Sequence, residues 1–362
     1  MISLKNFLEG LKIKVAIIDS GMDLTDPFFK NLKIESYIYT EKHFQKKIIH
    51  PSNFHGTEIG KIIFREAPSV EVISLQILDD NNRCKVEALL DAINFCILKR
   101  VDIINMSLGV TVLPREKLLK LEMICSKANQ AGIIMFAAHH NDEGKISYPA
   151  SFSSVIGIKA KIEMKKFFEV DLENKNIFFS DSLVFVPQKE HQICKGNSYL
   201  TSFVVGAYCS YEEMQINNIS QKKILSIDIF RLFQTDIVKM IFFDKIYDRD
   251  ILNGKNVLFY TDLMETNNLN ILNMYKKVCS IRKYQDKEDA VAFQKVIKDY
   301  DYFFIGLLSM EFVYEKKEYI KKLVEIALAK KKTVITVFPI LNVKERIDLI
   351  NKYGIEIKSI YK

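Results

Sequence analysis

The chain has 362 residues, long enough at roughly 100 to 200 residues per domain for two domains with cores of their own, which excludes a disulfide-stapled miniprotein. Hydrophobic residues make up 48% and charged residues 27%, which excludes a disordered chain. The net charge of +7 comes from 52 basic and 45 acidic residues, and because the lysines are interleaved with acids it marks no nucleic-acid-binding stripe.

At the N-terminus, Lys5, Glu9, Lys12 and Lys14 interrupt what would be the apolar part of a signal peptide. Apolar runs such as 15–18 and 133–138 fall far short of the roughly 20 residues a membrane span needs. A cytoplasmic protein without a membrane span is expected. The six cysteines, Cys84, Cys96, Cys125, Cys194, Cys209 and Cys279, are scattered and form no C-x-x-C pair, so they read as reduced thiols.

From residue 12 to about 160, short apolar runs alternate with helical patterns, the signature of β-α units around a parallel sheet. Strands are expected at 12–18, 70–77, 101–108, 133–138 and 155–159. Between them Val86, Leu89, Leu90, Ile93 and Ile97 recur at helical spacing, as do Leu118, Leu121, Cys125 and Ala128 between Pro114 and Gly132. Residues 161–195 read as shorter β segments, and from Ser198 a small-residue and apolar helical pattern resumes.

A polar stretch at 212–223 suggests a boundary, giving domains at 1–215 and 223–362. The second shows strands at 256–261, 280–284, 302–308, 333–338 and 355–361, with helices near 269–278, 288–300, 318–330 and 343–353. This predicts a smaller open α/β sheet of flavodoxin or Rossmann type. It carries neither G-x-G-x-x-G nor G-x-x-x-x-G-K-[ST], so no nucleotide site is expected there.

Three segments of the first domain put a reactive side chain at a strand end or helix start. Val15-Ala16-Ile17-Ile18-Asp19-Ser20-Gly21 is a buried strand that delivers a carboxylate at its C-terminal edge. His55-Gly56-Thr57 opens a helix whose apolar face is Ile59, Ile62 and Ile63. In Gly196-Asn197-Ser198, the serine sits at the N-terminus of an apolar helix, where unpaired backbone N–H groups favour a developing anion. Taken singly, each also reads as an ordinary turn or cap.

In the order Asp, His, Ser these segments resemble the subtilisin-like (S8) serine peptidases. The segments between them are similar as well: Asp102-Ile103-Ile104-Asn105-Met106-Ser107-Leu108-Gly109, Phe136-Ala137-Ala138-His139-His140-Asn141-Asp142-Glu143-Gly144, and Tyr148-Pro149-Ala150 through Ile158. The resemblance implies a three-layer α/β/α fold with a mostly parallel sheet. It implies a triad of Asp19, His55 and Ser198, an oxyanion site at Asn141, and substrate contacts from Ser107, Leu108, Gly109, Ala137, Ala138 and Asp142. With Glu143 beside it, Asp142 suggests an acidic rim favouring Lys or Arg before the cut.

Several positions depart from the family pattern: Asn197, Leu200 and Ser202 near the nucleophile, His139-His140 before Asn141, and Glu58 after His55. The adjacent histidines point in different directions, so neither metal nor other cofactor is expected. The implied function is a serine endopeptidase that works through an acyl-enzyme, acts inside the cell on a specific peptide or protein, and folds without a pro-segment. The C-terminal domain is expected to dock a partner or a remote part of the substrate. The alternative is a catalytically impaired peptide-binding module that kept the cleft.

Overall fold

The computed structural model describes residues 12–48, 50–142, 144–161, 163–164, 168–187, 192–218, 251–262, 280–284, 289–355 and 357–359. The chain divides into two compact units, one of Met1–Val184 with Cys194–Thr235, the other of Phe185–Ile193 with Asp236–Lys362.

The first unit is built on a nine-stranded sheet in the order β3-β2-β4-β1-β5-β6-β7-β9-β8. Its strands are β1 Lys14–Asp19, β2 Ile34–Thr40, β3 His43–Lys46, β4 Glu71–Gln76, β5 Ile103–Met106, β6 Ile134–Ala138, β7 Ile156–Ala160, β8 Phe168–Asp171 and β9 Asn176–Phe179. The seven inner strands run parallel, and only the edge pairs β2–β3 and β8–β9 are antiparallel. Sequence alternation had suggested β1, β4, β5, β6 and β7 but not the β2–β3 hairpin, where β2 is mostly half-buried, β3 is mostly exposed, and polar residues such as Glu35, Ser36, His43, Gln45 and Lys46 break any continuous apolar run.

Four long helices flank this sheet: α1 His55–Glu66, α2 Val86–Lys99, α3 Arg115–Gln130 and α4 Asn197–Asn218. Leu89, Ile93, Cys96, Leu121, Cys125 and Ala128 of α2 and α3 share one core with Ile73, Leu75, Ile104 and Met135 of the sheet. The α4 helix runs on to Asn218, so the polar stretch expected to end the domain is helical over its first half; residues 219–223 lie outside the described residues.

Two glycines set how closely elements meet around α1. A Cβ on Gly206 of α4 would lie 3.0 Å from Glu66 Cβ and from the Ile63 carbonyl oxygen, so the two helices touch backbone to backbone there. A Cβ on Gly56 would lie 2.3 Å from the Gly21 carbonyl oxygen. Only glycine lets the first turn of α1 come this close to the end of β1.

Strands β10 Leu183–Val186 and β11 Gln192–Lys195 pair with each other as a separate two-stranded sheet. The second unit has a five-stranded parallel sheet in the order β13-β12-β14-β15-β16, formed by β12 Asn256–Tyr260, β13 Ser280–Tyr284, β14 Tyr302–Ile305, β15 Thr333–Thr336 and β16 Ile357–Ser359. This is the expected open α/β sheet. Its described helices are α5 Ala290–Val296, α6 Met310–Ala329 and α7 Val343–Tyr353; the helix expected near 269–278 lies outside the described residues. Helix α6 begins eight residues before its expected start because Ser309 caps it, accepting the Phe312 N–H. Phe185 stacks on Phe338 with ring centroids 4.1 Å apart and packs with Leu252 and Val257, so residues 185–193 belong with this unit although they precede α4. Among the described residues no helix is long and apolar enough to cross a membrane.

Candidate active site

Asp19 ends β1, and its neighbours in the sheet are β4 and β5. Its carboxylate is buried, and Oδ1 accepts both the Ser20 backbone N–H at 2.7 Å and the His55 Nδ1–H at 2.8 Å. The side chain is 1% exposed and that of His55 15% exposed, so the pair meets largely out of water, where a charge-assisted hydrogen bond is strong. Donating from Nδ1 leaves Nε2 of the neutral ring as the basic nitrogen.

The first turn of α1 is held against β1 by side chains that satisfy its orphan N–H groups. Asn53 Oδ1 accepts the His55 N–H at 2.9 Å, and Ser20 Oγ accepts the Gly56 N–H at 3.0 Å while donating to the Asn53 carbonyl at 3.1 Å. Ser20 thus does for α1 what an N-cap residue does elsewhere, from a distant strand end. Nothing local in the sequence says that Ser20 will cap a helix 36 residues away.

Burial pulls the His55 pKa down, but the charge and hydrogen bond of Asp19, with the charge of Glu58, outweigh it and leave it above the ordinary 6.5. Glu58 is joined to the residue after the proposed nucleophile: the Tyr199 hydroxyl donates to Glu58 Oε2 at 2.8 Å, and the Tyr199 ring lies 5.3 Å from the imidazole. Burial, then the Glu58 charge, push the Tyr199 phenol well above its usual range.

Ser198 is the second residue of α4. Its backbone carbonyl accepts Ser107 Oγ at 2.9 Å and Ser202 Oγ at 3.0 Å, the two hydroxyls lie 3.1 Å apart, and Asn105 Nδ2 donates to Ser107 Oγ at 3.0 Å. The Ser198 hydroxyl makes no hydrogen bond to His55 among the described residues. It faces a small space above Gly196: a Cβ placed on that glycine would lie 3.5 Å from Ser198 Oγ, 3.5 Å from the Tyr199 ring and 3.8 Å from Asn141 Nδ2. The hydroxyl and the side-chain amide nitrogen therefore border one point. The Asn197 backbone N–H, donating to Asn141 Oδ1 at 2.9 Å, fixes that amide with its N–H groups turned the other way.

The expected substrate-binding residues separate into two groups. Leu108, Gly109 and Ser107 border a cleft of about 430 Å³ together with His55, Leu78 and Val110. A Cβ on Gly109 would lie 2.1 Å from Ser147 Oγ and 3.3 Å from the Ala138 carbonyl oxygen, so any larger residue there has to displace the Ser147 hydroxyl. Ala137 is instead packed in the core, and Ala138, also buried, offers its carbonyl to Ser147 Oγ at 3.3 Å. Asp142 is exposed and paired with Lys145 at 2.7 Å, with His140 at 3.7 Å; the Lys145 hydrogen bond and charge, with His140, draw its pKa down. Lys145 thus offsets the Asp142 charge, and Glu143 lies outside the described residues.

His139 and His140 diverge. The His139 ring turns inward to Asn176, with Nε2 2.7 Å from Oδ1, and burial lowers its pKa. His140 accepts the Asp142 N–H through Nδ1 at 2.9 Å. Among the described residues no three His, Cys, Asp or Glu side chains are grouped to hold a metal.

Residues 10–229 match the subtilase family. The chain is 31% identical over 184 residues to the minor extracellular protease Epr of Bacillus subtilis (strain 168), covering 48% of this chain and 27% of that relative. It is 27% identical over 257 residues to the major intracellular serine protease of the same organism, covering 64% of this chain and 79% of the relative. The chain thus spans about a quarter of the first and four fifths of the second. A solved lanthipeptide protease aligns at 18% identity with a TM-score of 0.49, over 63% of this chain and 82% of its own.

Proposed function

The chain belongs to the subtilase family, and from that premise we propose that it is a serine endopeptidase using Asp19, His55 and Ser198 as its triad. The observation that carries this reading is the buried Asp19–His55 hydrogen bond, beside a serine at a helix N-terminus whose hydroxyl shares its space with an anchored asparagine amide. Ser198 Oγ forms a bond to the scissile carbonyl carbon while its proton passes to His55 Nε2. The carbonyl electrons move onto oxygen, where the Asn141 amide and the Ser198 N–H stabilise the anion. The C–N bond then breaks, and the departing amine takes the proton from His55. Water repeats the sequence on the ester, giving its proton to His55 and releasing the acid and the serine.

Asp19 keeps the ring in the tautomer with Nε2 free and stabilises it when charged. Hydrogen bonds of such sites are often long without substrate and tighten in the complex, which fits the open Ser198–His55 pair. Leu108 and Gly109, on the cleft with His55, would line the bound peptide. The likeness to the major intracellular serine protease over most of that relative's length supports action inside the cell, and we take the substrate to be a specific peptide or protein. The family match ends at residue 229, so the five-stranded sheet lies beyond it; we take that unit to dock a partner or a remote part of the substrate.

The test is covalent labelling with a fluorophosphonate, followed by turnover of a protein substrate. Labelling at Ser198 that disappears in Ser198→Ala, with hydrolysis lost in parallel, is the expected result. A wild-type chain that binds peptide but neither labels nor cleaves would instead be the peptide-binding module.

A further inference from the structure

The residue before the proposed nucleophile holds more of the site together than any other side chain near it. Asn197 is 3% exposed, and its amide is fully used: Oδ1 accepts the Ala160 N–H at 2.9 Å, while Nδ2 donates to the His139 and His140 carbonyls at 3.1 Å each. Its backbone N–H holds Asn141 Oδ1 at 2.9 Å, and its carbonyl accepts Thr201 Oγ1 at 2.7 Å. One residue thereby joins the end of β7, the two peptide units after β6, the oxyanion asparagine and the first turn of α4.

We infer that Asn197 is the positioning residue of the oxyanion site, setting where the Asn141 amide stands by clamping the His139–His140 backbone that leads into it. This rests on the proposed function and deepens it. The chemistry demands an amide at this position. Two carbonyl oxygens need two donors and the strand-end N–H needs an acceptor, and a neutral side-chain amide supplies all three from one rigid plane. A single hydroxyl has one proton and would leave a buried carbonyl unpaired. The two carbonyls belong to His139 and His140, the consecutive residues that lead into Asn141. The His139 ring fills the space against Gly157, where a Cβ would lie 2.3 Å from its Nε2. Asn197 touches no reacting atom in this scheme and acts through Asn141.

A double-mutant cycle tests it, with active sites counted by fluorophosphonate titration so that kcat refers to folded, reactive chains. Asn197→Ser is expected to lower kcat per titrated site by about tenfold or more with KM within about twofold, because a displaced oxyanion donor acts on the transition state. In an Asn141→Ala background the same substitution should cost less than about twofold, since the donor it positions is gone. Should the serine variant not fold, Asn197→Asp keeps the volume and the acceptor to Ala160 while removing both donors, and it enters the same cycle. Losses that multiply in the double variant, or a loss confined to the number of titratable sites with kcat per site unchanged, overturn the inference and leave the peptidase reading standing. A wild-type chain with no turnover overturns both.

Discussion

The Tyr199 hydroxyl donates to Glu58 at 2.8 Å across the edge of the His55 ring, so an acidic side chain from α1 is tied to the residue after Ser198. Glu58 and Asp19 together hold the imidazole pKa above 6.5 against its burial. Only the neutral ring accepts the serine proton, so the acid limb of kcat/KM should have its midpoint above 6.5. Glu58→Gln removes one of the two charges and should move that midpoint down toward 6.5, with the rate on the high-pH plateau changed far less. A pH–rate profile of both proteins checks it; an unmoved midpoint means Glu58 does not act on the ring. The stability linkage has the opposite sense. A raised histidine pKa stabilises the fold fully below the unfolded value and is lost as pH rises through the folded one, so activity grows where this contribution fades.

The Gly56–Gly21 approach makes a second prediction. A methyl group at residue 56 would stand 2.3 Å from a backbone oxygen, which cannot move aside as a flexible side chain could. Gly56→Ala should therefore lift the first turn of α1 from the end of β1, costing about 1–3 kcal/mol in urea unfolding and lengthening the Asp19–His55 contact. Its kcat should fall well beyond what the stability loss explains. Unchanged kcat at reduced stability would mean that the helix start shifts without carrying His55 away.

Much of this arrangement was legible from residue order. Asp19, His55 and Ser198 stand in segments whose apolar patterns fix their element ends, so β1, α1 and α4 could be placed along with the residues they present. The interior partners could not be. Ser20 caps a helix across 36 residues, and Ser107 was assigned to the substrate wall, yet its hydroxyl turns to the Ser198 carbonyl. Asn197 stood out as a departure from the family pattern without a reason. Hydrogen bonds between residues far apart in sequence leave no periodicity. The same holds for Ala137, which local similarity put at the pocket and the sheet's register puts in the core.

Charge near the cleft allows a third prediction. The acidic rim expected to favour Lys or Arg before the cut has its carboxylate bound to Lys145, 2.7 Å away at an exposed site. Pairs of this kind contribute about 0–1 kcal/mol, and a carboxylate already neutralised has less still to offer a substrate. Asp142→Asn should change the ratio of kcat/KM for basic over alanine substrates by less than about twofold. A larger fall, measured on peptides differing only at that residue, would show that Asp142 reaches the substrate after all.

The hydroxyl pair behind the nucleophile yields the last prediction. Ser107 Oγ takes a hydrogen bond from Asn105 and gives one to the Ser198 carbonyl, and Ser202 Oγ bonds that same carbonyl from one turn along α4. Ser107→Ala leaves the buried Asn105 amide without its acceptor, a loss of about 1–3 kcal/mol in unfolding free energy. Because Ser202 still holds the carbonyl, Ser198 should stay in place and kcat should fall by less than about fivefold, a small loss beside the 10²–10³ typical of removing an oxyanion donor, a magnitude that comes from subtilisin rather than from this chain. Replacing both serines by alanine removes every side-chain hydroxyl from that carbonyl, and the loss in kcat should exceed the product of the single losses. Chemical denaturation and kcat per titrated site separate the two effects. Simple multiplication of the single losses would mean that the two hydroxyls do not share the work of fixing the nucleophile.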